Sequence, residues 1–302
     1  MIFTSGTALS ALRPGVHEWY GLGYNRYPEQ FSQIFEMLKS EMNYERDVNM
    51  YGLGVARVRP EATQTEYDFM GEGFRFDYIP VDYSNGIKIS HQAIRDNLYM
   101  KLGEEFTKEL GNSFRECKEI VAARLFNSAF SSSITYADGL QLCSSAHLLS
   151  GGGTFANTPS VDCDLSELAI ENAVQQIQAY TDDRGKLRRV VPQMLIVPRG
   201  EQFNANRILM SNLRSGTAEN DINVLNAQKV FSKGIMVYQY LTDADAWFIQ
   251  TDAAKGMRYF QREPLQIQSD VEFDTDAIKI KGYEAYSVGC TDLMGIWGTA
   301  GA

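Results

Sequence analysis

The chain has 302 residues, 44% of them hydrophobic, and a formal net charge of -10. That is enough apolar material for a real core in one or two domains, which excludes a disordered or fibrous chain. The acidic balance disfavours a protein that grips nucleic acid, because such a grip comes from clustered Lys and Arg replacing counterions on phosphates.

The N-terminus MIFTSGTALSALRPG lacks a basic n-region and an apolar h-region, and no later apolar run reaches about 18 residues. A soluble chain without an export leader is expected. Cys117, Cys143, Cys163 and Cys290 show no CxxC spacing, so reduced thiols of a cytoplasm are the expectation.

In chain order, residues 1 to about 50 read as an arm. Trp19, Tyr20, Phe31, Ile34, Phe35, Met37 and Leu38 are apolar, but only 30–42 has a short helical period, so the arm is expected to lie on another surface. Residues 51–86 read as an extended hairpin whose polar outer half is Pro60 to Gly73. Val55, Arg57 and Arg59 alternate with Ala56 and Val58, and Phe74, Phe76 and Tyr78 with Arg75 and Asp77. Strand spacing ends at Ile89, and Ser90 is a good N-cap.

A helix is predicted over 91–131, roughly 60 Å long at 1.5 Å per residue. Its expected apolar stripe is Ile94, Leu98, Leu102, Phe106, Leu110, Phe114, Cys117, Val121 and Leu125. Six basic residues (Arg95, Lys101, Lys108, Arg115, Lys118, Arg124) and six acidic ones (Asp96, Glu104, Glu105, Glu109, Glu116, Glu119) are assigned to a solvated face, with pairs such as Glu104 and Lys108. A coiled coil or bundle would also explain the stripe, but the flanking segments alternate as strands.

After a loop-and-strand region, Leu165 to Tyr180 reads as a helix with Leu165, Leu168, Ala169, Val174 and Ile177 inward, stopped by Asp182-Asp183-Arg184-Gly185. Met194 to Val197 is a short apolar strand ending at Pro198, and Glu201 to Met210 is helical. Strand character returns from Pro264 through Ile267, Val271 and Phe273, then Ile278, Ile280 and Tyr286. The class is α+β.

No catalytic, cofactor or metal site is expected. His17, His91 and His147 share no ligand spacing with each other or with the cysteines. Gly151-Gly152-Gly153-Thr154 lacks the strand, helix and Lys of a phosphate loop and reads as a surface turn. Asp243, Asp245 and Asp252 read as solvated loop charge, and Met257, Tyr259 and Phe260 near Trp247 and Phe248 as core. Lys186, Arg188 and Arg189 suit a solvated turn or an intersubunit contact better than a DNA site.

Five segments carry a family resemblance: YSNGIKISHQAIRDNLY, DGLQLCSSAHLLSGGGTFAN, LIVPRGEQFNANRILMS, GTAENDINVL and YEAYSVGCTDLMGIWG, in that order from about Tyr51 to Gly298. With them the chain resembles the major capsid proteins of tailed bacteriophages, the fold named for the Hong Kong phage. Cys290 departs from the pattern, standing where an aromatic is expected before the Asp292 turn.

The resemblance implies an N-terminal arm (1–50), an extended loop (51–86), a peripheral domain (87–191, with the spine helix 91–131, plus return strands 265–302) and an axial domain (192–264). It implies self-assembly as hexamers and pentamers into an icosahedral head around double-stranded DNA, with portal and scaffolding proteins and possible decoration proteins as partners. The scaffold is expected to be a separate protein, because the chain starts directly in the arm. No cofactor is implied, and no membrane. Assembly in the host cytoplasm is expected.

Candidate intersubunit contacts are Trp19, Tyr20, Phe31, Phe35, Arg57, Arg59, Arg75, Lys186, Arg188 and Arg189. In the cross-linking branch of that family a loop lysine bonds to a neighbour's asparagine. Between Tyr51 and Gly86 this chain has no lysine, and a guanidinium, always protonated, offers no free amine.

Two alternatives stay open. One is an encapsulin, for which a lumenal N-terminal helix is expected; the irregular stretch Thr4 to Pro28 does not look like one. The other is an α+β enzyme with tyrosines and acidic residues lining a cleft.

Overall fold

A computed structural model describes residues 20–90, 92, 99–213 and 222–302. These divide into two compact units, unit 1 drawn from the ranges 1–45, 79–122 and 259–288 and unit 2 from 46–78, 123–258 and 289–302, each through its described residues.

The elements run α1 (Phe31–Ile34), β1 (Glu36–Lys39), β2 (Glu45–Tyr51), β3 (Gly71–Tyr78), β4 (Val81–Ile89), α2 (Tyr99–Asn127), β5 (His147–Leu148), β6 (Thr154–Phe155), α3 (Glu167–Gln178), β7 (Pro192–Val197), α4 (Gln202–Met210), α5 (Val224–Gln228), β8 (Gly234–Val237), β9 (Trp247–Thr251), β10 (Met257–Val271), β11 (Ile278–Cys290) and β12 (Ile296–Thr299). The mixture of helices and sheets matches the α+β expectation. No helix among the described residues is long and apolar enough to cross a membrane.

Unit 1 is built on a sheet ordered β1-β10-β11-β4. Alternation sets its inner face: Ile278 and Ile280 of β11, which pairs with β4 at Ile89 and Ile87, join Leu265, Ile267 and Val271. These pack with Leu110 and Phe114 of α2 and with Tyr20. A line of rings extends the contact, Phe31 to Tyr259 at 5.3 Å, Tyr259 to Tyr286 at 5.2 Å and Tyr286 to Tyr83 at 4.5 Å. The short helix expected within 30–42 therefore covers only four residues; the chain then extends because β1 finds a partner at the edge of β10.

Helix α2 has 29 described residues, about 43 Å at 1.5 Å each. Residues 128–131 form turns, and Ile94 and Leu98 lie outside the described residues. Its buried face is rotated and wider than the expected stripe: Leu110, Phe114 and Leu125 are inside as expected, but so are Thr107, Arg115, Lys118, Glu119, Ala122 and Ala123. Phe106, 49% exposed, is not. The cause is a second partner, the chain at 20–24. An added Cβ on Gly111 would lie 2.6 Å from the Tyr20 carbonyl oxygen, and one on Gly23 would lie 2.0 Å from that of Lys108. Two glycines thus let backbone cross backbone.

Unit 2 holds the sheet β12-β9-β7-β8, with β7 and β8 parallel. Strand β7 is apolar without alternation because both its faces are covered. Leu195 and Val197 share a core with Ile170, Ala173 and Ile177 of α3, Ala205 and Leu209 of α4, and Trp247 and Trp297. On the neighbouring strand Phe248 points the other way, toward the Phe126 ring at 5.2 Å and the Phe130 ring at 5.7 Å. Helix α3 starts at Ser166, whose side chain accepts the Ala169 N–H, and Leu168 faces solvent where Ile170 and Ala173 were needed. Gly152 and Gly153, both at φ +96°, turn the β5–β6 hairpin, so the glycine run is a turn. All four cysteines are free. Cys290 fills its slot with a buried thiol 3.2 Å from the Asp292 carbonyl oxygen, a small group where a ring was expected.

Phe114→Ala should destabilise the protein by about 3–5 kcal/mol, the usual range for emptying a buried phenylalanine site. Phe106→Ala should stay within about 0.5 kcal/mol of wild type. Equal losses in chemical denaturation would contradict the rotated face.

Candidate assembly surfaces

Of the charges read as a solvated face, Glu105, Glu109, Glu116 and Arg124 face solvent as expected, and Lys108 pairs with Glu104 at 2.5 Å. Three are inside: Arg115, Lys118 and Glu119 are 6%, 4% and 2% exposed. The reason is the segment 20–35, which needs polar partners. The first N–H groups of a helix have no partner within it, and Glu119 supplies one, accepting from Gln30 N at 2.6 Å and from Phe31 N at 3.0 Å. Arg115 pairs with Glu29, donates from Nε to the Tyr24 carbonyl at 3.1 Å, and lies 4.2 Å over the Tyr24 ring.

Lys118 Nζ sits 2.7 Å from Glu284 and 2.8 Å from the Tyr24 hydroxyl. The cluster holds three carboxylates against two cations. Burial raises the Glu284 carboxyl, and the opposing Lys118 charge does not fully offset it. Burial would lower Lys118, but Glu284 and Tyr24 outweigh it and hold the ammonium on.

Three candidate contacts are thereby corrected. Tyr20, Phe31 and Phe35 are buried within their own chain, in the core they were expected to lack. Trp19 lies outside the described residues.

In unit 2 the extended loop departs from its expectation in one respect. Strand β2 ends at Tyr51 and pairs with β3, and residues 52–70 hold no strand, because no strand among the described residues offers them a ladder. Leu53, Val55, Val58, Tyr67, Phe69 and Met70 are 51 to 96% exposed. The loop's own bonds are local: Arg57 pairs with Glu66, Arg59 Nε donates to the Thr63 carbonyl at 2.8 Å, and Gly54 N donates to Asp68 at 2.8 Å. Arg75 is exposed on β3.

Lys186 reaches the Leu53 carbonyl at 3.3 Å, and Arg188 pairs with the buried Asp292, so both serve their own chain; Arg189 is exposed. Asp47 accepts from Lys255 at 2.7 Å, from Arg258, and from the Thr291 hydroxyl at 3.0 Å. His147 is a satisfied core residue, with Nδ1 2.6 Å from Asp138 and Nε2 3.3 Å from the Leu142 carbonyl oxygen. His17 and His91 lie outside the described residues. Among the described residues no three His, Cys, Asp or Glu side chains gather to hold a metal.

The family model described as phage capsid protein matches residues 75–298. The chain belongs to the phage capsid protein family. Its fold is shared with the virus-like particle from Pyrococcus furiosus, at 11% identity and TM-score 0.54, covering 94% of this chain and 97% of that one. The capsid of an empty GTA particle and Mycobacterium phage Che8 each match at 12% identity and TM-score 0.55, over 90% of both chains. No curated protein sequence matches. These identities speak to the fold, which is the Hong Kong phage type, and the family makes this a structural major capsid protein of the tailed-phage kind and a virion component.

In this capsid protein the residues that sequence reasoning missed are Glu119, Lys118, Arg115, Glu284, Asp47, Asp68 and Arg184. For the helix there was a signal. Gly111, Arg115, Lys118 and Ala122 step by four, three and four, so the small residues mark a buried face that carries charge.

Burial raises the Asp47 carboxyl, but bonds from Lys255 and Thr291 and the Arg258 charge outweigh it and leave it below the ordinary value. A lowered folded value means stability present above about pH 4 and lost as pH falls through the folded value. Asp47→Asn should therefore destabilise the protein by about 2 kcal/mol at pH 7, and the gap should narrow below pH 4. A gap unchanged between pH 7 and pH 3 in thermal melts would contradict the assignment.

Proposed function

We propose that this capsid protein closes into an icosahedral head of hexamers and pentamers around double-stranded DNA, with the loop 52–70 lying on neighbouring subunits. The carrying observation is that loop: six large apolar side chains, 51 to 96% exposed, which the described residues of unit 2 leave largely uncovered. Patches of that kind mark protein contacts, and identical subunits supply the commonest partner. Arg57, Arg59, Arg75 and Arg189 are exposed cations suited to acidic residues of a neighbour. A net charge of -10 suits a wall that should not hold its contents tightly.

In this reading 87–191 with 265–302 forms the peripheral domain and 192–264 the axial domain. Portal and scaffolding proteins, and decoration proteins where present, are the further partners, and assembly takes place in the host cytoplasm.

Electron microscopy of the purified protein should show closed shells. Deleting 52–70 and joining Tyr51 to Gly71 through a short linker should leave folded protein that sediments as capsomers or single chains, because the deletion spares both cores. Closed shells from the deletion variant would refute the role of the loop.

The absence of lysine between Tyr51 and Gly86 means the shell is held without covalent bonds from this loop. Particles boiled in detergent should run as monomers near 34.0 kDa. A ladder of oligomers that survives reducing agent would overturn this.

A further inference from the structure

We infer that Arg184 is the positioning residue that aims the extended loop, a role resting on the loop-mediated assembly proposed above. The hydrogen bonds and ion pairs that join residues 52–70 to the rest of unit 2, among the described residues, come from one turn. Arg184 Nη1 donates to Asp68 at 2.7 Å, its Nη2 donates to the Phe69 carbonyl oxygen, and Lys186 Nζ donates to the Leu53 carbonyl at 3.3 Å.

The turn itself is rigid. Asp182 Oδ1 accepts from the N–H groups of Arg184 at 3.0 Å and Lys186 at 2.9 Å, and Gly185 takes the φ of +72° that the reversal requires.

The guanidinium ties both limbs of the loop. Its charge lies 5.5 Å from the Tyr51 ring on the outgoing limb and 5.3 Å from the Phe69 ring on the returning one. Asp68, which it holds, also accepts the Gly54 N–H from across the loop at 2.8 Å. An added Cβ on Gly54 would lie 3.1 Å from Asp68 and 3.7 Å from Arg184, so the limb approaches closely there. A lysine could supply the charge but not the planar fork that reaches Asp68 and Phe69 together.

The test compares full-length wild type, Arg184→Ala, Asp68→Arg and the double charge swap Asp68→Arg with Arg184→Asp. Three readouts are taken: thermal melting, thermolysin cleavage at the exposed Gly54–Val55 bond before assembly, and particle shape by electron microscopy. Each single variant should melt within a few degrees of wild type, be cut several-fold faster, and give open or irregular particles. The double swap restores the ion pair but not the Phe69 and Gly54 bonds, so it should recover part of the cleavage resistance and of shell closure relative to either single variant, which a general structural defect would not do. Cleavage rates equal to wild type in both single variants, or a double swap no better than either, would overturn the inference. If wild type itself forms no shells, the assembly reading fails, while the cleavage comparison still decides whether Arg184 holds the loop.

Discussion

The Glu119 carboxylate, buried and bonded to two backbone N–H groups of the segment at Gln30 and Phe31, is the interaction on which unit 1 depends. An ionised carboxylate inside a protein is tolerated only where hydrogen bonds replace its water. The requirement runs in both directions. Remove the segment 20–35 and Arg115 loses Glu29 and the Tyr24 carbonyl, Glu119 loses two N–H donors and Lys118 keeps only Glu284 of its two partners; remove Glu119 and the first N–H groups of α1 lose their carboxylate. Helix and segment are therefore one cooperative piece, locked further by Gly23 and Gly111 where the two backbones meet.

Such a network adds little net stability, since desolvation offsets most of the attraction between buried ions, whereas breaking it leaves an uncompensated charge. Its effect is on register. The apolar contacts of Tyr20 and Phe114 would tolerate some sliding along the helix. A carboxylate that must meet two specific N–H groups, and an ammonium that must meet both Glu284 and the Tyr24 hydroxyl, tolerate none.

The same network explains where the sequence was legible. Strands β7 and β11, helices α3 and α4, and the glycine turn at 151–153 follow from local pattern, and each stands close to its expected place; β10 starts at Met257, seven residues before the expected Pro264, and ends at Val271 with Phe273 exposed. The helix α2 was also legible as a helix, but its facing was not, because periodicity assigned every charge to water. Phe106 and Thr107 differ by one position, and only a segment some 80 residues away in sequence decides that the threonine is inside. The loop shows the reverse case. Alternation at Val55, Ala56, Arg57, Val58 and Arg59 promised a strand, yet a strand needs a partner that the described residues do not supply. Arg184 and Asp68, 116 positions apart, had no signal at all.

The helix α2 network and the loop clasp thus use charge in opposite settings. In unit 1 ions are buried, where they specify register and resist release. At the loop the Gly54 N–H and the Arg184 guanidinium hold Asp68 down at about 2, so it stays ionised at any physiological pH, but the pair is exposed and screened by salt. An exposed ion pair contributes little to folding, so a clasp of this kind sets direction without making the loop rigid. In the assembly proposed above, that combination suits a segment that leaves its own subunit at a defined angle and still adjusts to different neighbours.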